Sequence, residues 1–207
     1  YNFKSISKQL SVLKIPSKPL INHIENIFSL ISVSSKRFLT NKVDRSVTGL
    51  IAQQQCIGPL HTPLSDYSII AQSHFNLTGS VISIGEQPLK SFINTESMTN
   101  MSLGEMLTNI IFAKIPKLED IKCSGNWMWS PKLEGEGSDL YKAVINIKNS
   151  LIKLNIAIDG GKDSMSMYSK INNKIIKTPQ SLVLSGYAPM EDITKKITAD
   201  FKKNNSD

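Results

Sequence analysis

The chain has 207 residues, 40% of them hydrophobic and 20% charged, enough for one sizeable domain or two small ones. That balance excludes disorder throughout, and no apolar run approaches the roughly 20 residues that a membrane span needs. The formal net charge of +7 invites a polyanion partner. Arginine, however, occurs only at Arg37 and Arg45, and lysine runs such as Lys195-Lys196 and Lys202-Lys203 are scattered. Nucleic-acid readers lean on arginine and on aromatic stacking, so the charge reads as a solvated surface, with neither nucleic acid nor membrane as partner.

In chain order, Tyr1-Asn2-Phe3-Lys4 is neither an initiator methionine nor a signal peptide, so the sequence reads as cut from something longer. Residues 1–35 form a helical lead-in, with apolar residues at helical spacing between Pro19 and Phe28. Ser34-Ser35-Lys36 marks a joint. Asp66 to Ala71, after Pro63, is expected to be a buried strand. Pro88 starts a helix to about Phe92. A second helix opens at Asn100-Met101-Ser102-Leu103 and runs to about Lys114. Its Leu103, Met106, Leu107, Ile110 and Ile111 make one buried stripe, and Pro116 lies just beyond.

Further on, residues 121–125 make a short strand candidate. Ser138-Asp139-Leu140 begins a long amphipathic helix to about Leu154, with an acid in its first turn. Residues 156–158 form a strand that runs into a loop at Asp159-Gly160-Gly161-Lys162-Asp163-Ser164. Residues 171–175 and 181–185 read as hairpin-like strands, and the tail at 201–207 frays. The fold class is α+β, with a mixed β-sheet backed by two or three main helices.

Four stretches could carry chemistry. Glu105 and Asn109 are four apart on a helix, so they share one face with Cβ atoms about 6 Å apart. A carboxylate and an amide oxygen there suit a hard cation, although spacing alone equally fits a surface pair. Asp66, at a strand end, can hold a metal or cap a turn. The glycines of the 160–167 stretch can turn backbone N–H groups toward an anion, with Lys162, Ser164 and Ser166 beside them; an ordinary glycine turn is the alternative. The GxxxxGK[ST] phosphate-loop spacing is absent. Asp44 and Arg45 form an ion pair or order a ligand, next to Gln53-Gln54-Gln55-Cys56. Cys56 and Cys123 are not in metal spacing, and His23, His61 and His74 sit in no nucleophile motif. Two inert free thiols are expected, with a single disulfide as the alternative.

Longer strings say more. Lys36-Arg37-Phe38-Leu39-Thr40-Asn41-Lys42-Val43-Asp44-Arg45-Ser46-Val47-Thr48-Gly49-Leu50 resembles the large, single-chain, eukaryotic-type phosphoribosylformylglycinamidine synthases. So do Ala52-Gln53-Gln54-Gln55-Cys56-Ile57-Gly58-Pro59-Leu60, Cys123-Ser124-Gly125-Asn126-Trp127-Met128-Trp129 and the stretch from Asp159 to Met167. The resemblance covers about residues 36–200 and weakens over 1–35. It implies the N-terminal portion of the second of two aminoimidazole-ribonucleotide-synthetase-like halves, whose corresponding portions pair into a barrel-like core. An unpaired half would expose an apolar face and self-associate.

The family's Mg²⁺ ligands fall on Asp66, Glu105 and Asn109, and Ser65 matches an adjoining nucleotide contact; a further aspartate ligand of the family lies downstream of this sequence. Gly104 and Ser65 stand where relatives carry alanine. The implied cofactors are Mg²⁺ and ATP or ADP, with an auxiliary, structural nucleotide in this half and no catalytic residue in this segment. The implied reaction makes formylglycinamidine ribonucleotide from formylglycinamide ribonucleotide. The substrate amide oxygen attacks the γ-phosphate of ATP, and ammonia from glutamine then displaces the phosphate. Implied partners are nucleotide, ribonucleotide substrate and the rest of the polypeptide with its glutaminase domain, in the cytoplasm. The 160–167 stretch would border the substrate channel. Three other readings stay open, a structural scaffold, another ATP-binding synthetase of the same superfamily and, more remote, a nucleic-acid module. Gln53-Gln54-Gln55 and Asn126-Trp127-Met128-Trp129 speak against the second.

Overall fold

A computed structural model describes residues 4–6, 9–12, 14, 16–40, 49–61 and 63–203. Asp44, Arg45 and the last four residues lie outside the described residues. Among the described residues the α-helices are α1 (Leu20–Phe28), α2 (Arg37–Thr40), α3 (Thr95–Ile110) and α4 (Glu136–Leu154), and the segment Pro88–Phe92, predicted as a helix, is a 3₁₀ helix. Eight strands are β1 (Ile51–Gln53), β2 (Tyr67–Ala71), β3 (Gly79–Glu86), β4 (Lys122–Met128), β5 (Ala157–Ser164), β6 (Tyr168–Ile171), β7 (Lys174–Lys177) and β8 (Ser181–Met190). Six of them form one sheet in the order β1-β2-β3-β8-β4-β5, and β6-β7 stand apart as a hairpin. All neighbours in the main sheet are antiparallel except β4 and β5. The expected α+β class with a mixed sheet backed by helices is what the chain forms.

Helix α3 lies on β3 and β8, and α4 lies beside α3. Each helix buries residues at helical spacing: Leu103, Met106 and Ile110 in α3, and Ala143, Ile147 and Leu151 in α4. They meet the inward residues Val81, Leu182, Leu184 and Ala188, which alternate along β3 and β8. The opposite face of the sheet carries Ile84, 52% exposed, and half-buried Ile82, Val183 and Tyr187. Helix α1 buries none of its residues.

Several expectations need correction. Helix α3 starts five residues before the predicted opening, because the Asn94 side chain accepts from the Ser97 N–H at 2.7 Å and caps it. It ends at Ile110, so Ile111, placed in the buried stripe, is 72% exposed. The predicted hairpin pairs differently. Asn172 and Asn173, at φ 46° and 61°, turn β6 into β7, the backbone a two-residue type I′ turn requires. Strand β8 instead lies between β3 and β4. The stretch read as a glycine loop is strand β5, running parallel to β4. A Cβ on Gly161 would stand 2.2 Å from the Gly125 carbonyl oxygen. Glycine serves there to let two backbones approach beside a register shift in the β4–β5 pair.

A polar network closes one end of the molecule. Glu136, 4% exposed, accepts from Gln180 Nε2 at 2.9 Å and pairs with Lys177. Gln180 also accepts from the Thr95 hydroxyl at 2.8 Å and donates to Asp139 at 3.1 Å. The Trp129 indole N–H donates to the Glu136 carbonyl at 3.0 Å. The starts of α3 and α4, the end of β7 and the residue before β8 are joined by it.

Candidate functional site

The predicted ligands sit at the end of the sheet where β2 begins and β3 ends. The α3 face carrying Glu105 and Asn109 meets the last residues of β3. Glu105 Oε2 accepts from the Glu86 backbone N–H at 2.7 Å and from Gln87 Nε2 at 3.1 Å. Asn109 Nδ2 donates to the Ile84 carbonyl at 3.0 Å. Each side chain is therefore held through one atom, and its other oxygen makes no hydrogen bond among the described residues. For Asn109 the anchor fixes the amide orientation, leaving Oδ1 as the open group.

Asp66 reaches the same end through strand register. Tyr67 pairs with Ser83, so the antiparallel register carried one residue further sets Asp66 opposite Ile84. Asp66 is exposed and makes no hydrogen bond or ion pair among the described residues. Tyr67 is buried, and its hydroxyl donates to the Ile197 carbonyl. Burial pushes its phenol upward, so it stays a donor and fixes residues 197–199 beside Asp66. Together they line a cavity of about 160 Å³ with Leu64, Phe112 and Ala199.

Ser65 takes a different part. Its backbone N–H donates to Gln55 at 2.8 Å and its hydroxyl to the Tyr67 carbonyl at 2.9 Å. Both donors are engaged within the chain, so Ser65 shapes the turn that presents Asp66. Sequence spacing could pair Glu105 with Asn109. It had no means of finding Ile84, Glu86 and Gln87, which hold them; the first two belong to a strand missed by the sequence reading and Gln87 follows it.

Chemically, the set offers two carboxylates and one amide oxygen, all hard donors of the kind Mg²⁺ takes. Among the described residues no group of three His, Cys, Asp or Glu side chains is placed to hold a metal ion. Two acids with an amide leave room for waters or phosphate oxygens, which Mg²⁺ ordinarily keeps. In donor chemistry, Asp66, Glu105 and Asn109 suit that ion.

The cysteines are apart from this set. Both are free and buried. Burial first, and Asp159 second, push the Cys123 thiol up to about 11. Its reactive thiolate is therefore scarce at neutral pH. A thiol reagent at pH 8 is expected to leave Cys123 unmodified until the chain is unfolded by denaturant. Fast labelling of Cys123 in the folded chain would contradict that burial.

Comparison with known proteins fits the architecture. The family of FGAR-AT PurM_N-like domains matches residues 35–189. Phosphoribosylformylglycinamidine synthase of Dictyostelium discoideum is 47% identical over 98% of this chain and 16% of its own length. The Drosophila melanogaster protein of that name is 49% identical over 98% of this chain and 15% of its length. The Homo sapiens one is 48% identical over 86% and 13%. The chain thus spans about a sixth or less of these relatives. Among solved structures, PurLQS from Thermotoga maritima superposes with a TM-score of 0.62 at 13% identity, over 97% of this chain and 29% of that one. T. maritima PurL complexed with ADP gives 0.60 at 13% identity, over 96% and 29%. At that identity the likeness is one of fold. No helix among the described residues is long and apolar enough to cross a membrane.

Proposed function

The chain belongs to the family of FGAR-AT PurM_N-like domains, and from that premise we propose that it is the nucleotide- and cation-binding portion of a phosphoribosylformylglycinamidine synthase. The whole enzyme would be an ATP- and glutamine-dependent ligase of purine synthesis that converts formylglycinamide ribonucleotide to its amidine. In it, Asp66, Glu105 and Asn109 would hold Mg²⁺, with Ser65 shaping the edge of the nucleotide site. The supporting observation is the paired anchoring of Glu105 and Asn109 on Glu86 and Ile84, which leaves one oxygen of each open at the end of the sheet where Asp66 lies.

A bound Mg²⁺ would neutralise phosphate charge and orient the nucleotide. The protein's own part is positioning. Helix α3 sets two oxygens at a fixed spacing, and the β2–β3 pair brings the third. The nucleotide held here would be auxiliary, tying this portion to the rest of the polypeptide, which would include the glutaminase domain. The half-apolar sheet face is available for the barrel-like pairing with the other half. Two free buried thiols suit a reducing compartment, and we place the enzyme in the cytoplasm; a relative named chloroplastic/mitochondrial in Arabidopsis thaliana shows that relatives also occur elsewhere.

Calorimetry with Mg²⁺–ADP tests the reading. The chain is expected to bind, and Asp66→Asn to weaken binding about tenfold or more, as loss of a charged contact does. A second reading comes from the same bonds, since Glu105 and Asn109 also clamp α3 to β3. If they act only as clamps, neither chain binds Mg²⁺–ADP, while Glu105→Gln still lowers the melting temperature.

A further inference from the structure

Glu105 and Asn109 are anchored in different ways. Asn109 uses its nitrogen, so its oxygen keeps both lone pairs. Glu105 uses an oxygen, and uses it twice. Its Oε2 accepts from the Glu86 backbone N–H at 2.7 Å and from Gln87 Nε2 at 3.1 Å. A carboxylate oxygen has two in-plane lone pairs, and both are taken here. The backbone bond alone would leave one free; Gln87 occupies it. Gln87 is itself firmly placed. It follows β3 and precedes Pro88, which keeps it out of the helical region, and its φ of −135° and ψ of 54° lie outside that region. Its own N–H donates to Ser102 Oγ at 3.2 Å. Ser102 and Glu105 are three apart on one face of α3, so Gln87 is fixed to that face by main chain and side chain alike. Ser102 is fully buried, which keeps water from that footing. The Gln87 amide is thereby aimed at Oε2 in the protein without ligand.

We propose that Gln87 makes the cation site selective for Mg²⁺ over Ca²⁺ by holding Glu105 to coordination through Oε1 alone. The inference rests on the cation site proposed above and adds what decides which ion enters it. Mg²⁺ takes single oxygens in near-ideal octahedral geometry and keeps waters at its other positions. Ca²⁺ gathers roughly six to eight oxygens, often from carboxylates that bind it with both. To bind Glu105 through both oxygens, Ca²⁺ must displace the Gln87 donor from Oε2. Mg²⁺ needs no such displacement. Asp66 is exposed and free to serve either ion, so the choice falls on Glu105. Gln87 touches the ligand and not the ion, and is a positioning residue.

The test is calorimetry of the chain with ADP at saturating Mg²⁺ and at saturating Ca²⁺, for the unaltered sequence and for Gln87→Met, which keeps the length and cannot donate. The unaltered chain is expected to bind ADP about tenfold or more tightly with Mg²⁺, since Ca²⁺ must displace a hydrogen bond to a charged group. Gln87→Met is expected to narrow that ratio by about fivefold or more. The ratio separates selectivity from folding, because a variant that merely loosens α3 weakens both complexes alike. If circular dichroism shows that Gln87→Met does not fold, Gln87→Ala decides by the same ratio. Equal binding with the two ions by the unaltered chain, or an unchanged ratio in the deciding variant, overturns the proposal and leaves the cation site standing. Absence of ADP binding with either ion overturns the cation site itself, and the proposal with it.

Discussion

Replacing Gly85 by alanine is expected to destabilise the fold by about 3 kcal/mol or more and to scatter the cation ligands with it. Gly85 lies between Ile84, which anchors Asn109, and Glu86, which anchors Glu105. A Cβ there would stand 2.0 Å from the Ser102 carbonyl oxygen and 2.5 Å from the Met106 nitrogen. Both are backbone atoms of α3, so no rotamer change relieves the clash; the helix must lift from the strand. Lifting lengthens the two anchoring bonds and strips contacts from Met106, which is fully buried. Gly104 supplies the control. It sits inside α3 with nothing within 4 Å of its would-be Cβ, so Gly104→Ala should be neutral or stabilising by up to about 1 kcal/mol. Urea unfolding of both variants, with Mg²⁺–ADP calorimetry beside it, measures stability and site together. Equal midpoints for the two variants would show that α3 does not depend on Gly85 for its seat.

Removing the Glu136 carboxylate is expected to destabilise by about 3 kcal/mol, the low end for breaking a buried ion pair. Glu136→Ala deprives Gln180 of one acceptor and Lys177 of its counter-charge. The Lys177 side chain is 43% exposed and can turn to water, which limits the loss. The effect should not stay local, because the network joins the starts of two helices to the β7 and β8 ends. A drop in the urea midpoint with the slope kept is the expected signature. A Glu136→Gln variant, which keeps the shape and a weaker acceptor, should recover part of it. A shift below about 0.5 kcal/mol in Glu136→Ala would mean that the network is held elsewhere.

The sequence showed elements whose pattern is local and lost those decided at a distance. Helix α4 announces itself through Ala143, Ile147 and Leu151, and β2 through its apolar run after Pro63. The start of α3 was hidden because Thr95, Ser97, Thr99 and Asn100 look like loop residues; the Asn94 cap and the buried Thr99 and Ser102 make them helical. Strand β3, with Val81, Ile82 and Ile84 between glycines, went unread. Without it β8 had no partner to suggest its central place. The Gly160-Gly161 pair was misread because a turn and a close strand approach both require glycine, and only the position of Gly125 tells them apart. At the candidate site, the i, i+4 spacing made Glu105 and Asn109 a pair. Adding Asp66 took a family resemblance in the sequence, and in the structure it took the β2–β3 register.

The central place of β8 has a consequence for how the chain is made. β3 and β4, its two neighbours, precede it by about a hundred and by about sixty residues, so emergence from the ribosome leaves two unfinished half-sheets. One is β1-β2-β3 and the other is the parallel pair β4-β5, each presenting an unpaired inner edge. Neither can close on the other until residues 181–190 are out. Such edges pair readily with other chains, and closure across long sequence separations is slow. The vulnerable interval for this sheet is the one before β8 arrives. A nascent chain stalled short of Ser181 should be held by chaperones, whereas one released past Met190 should escape them.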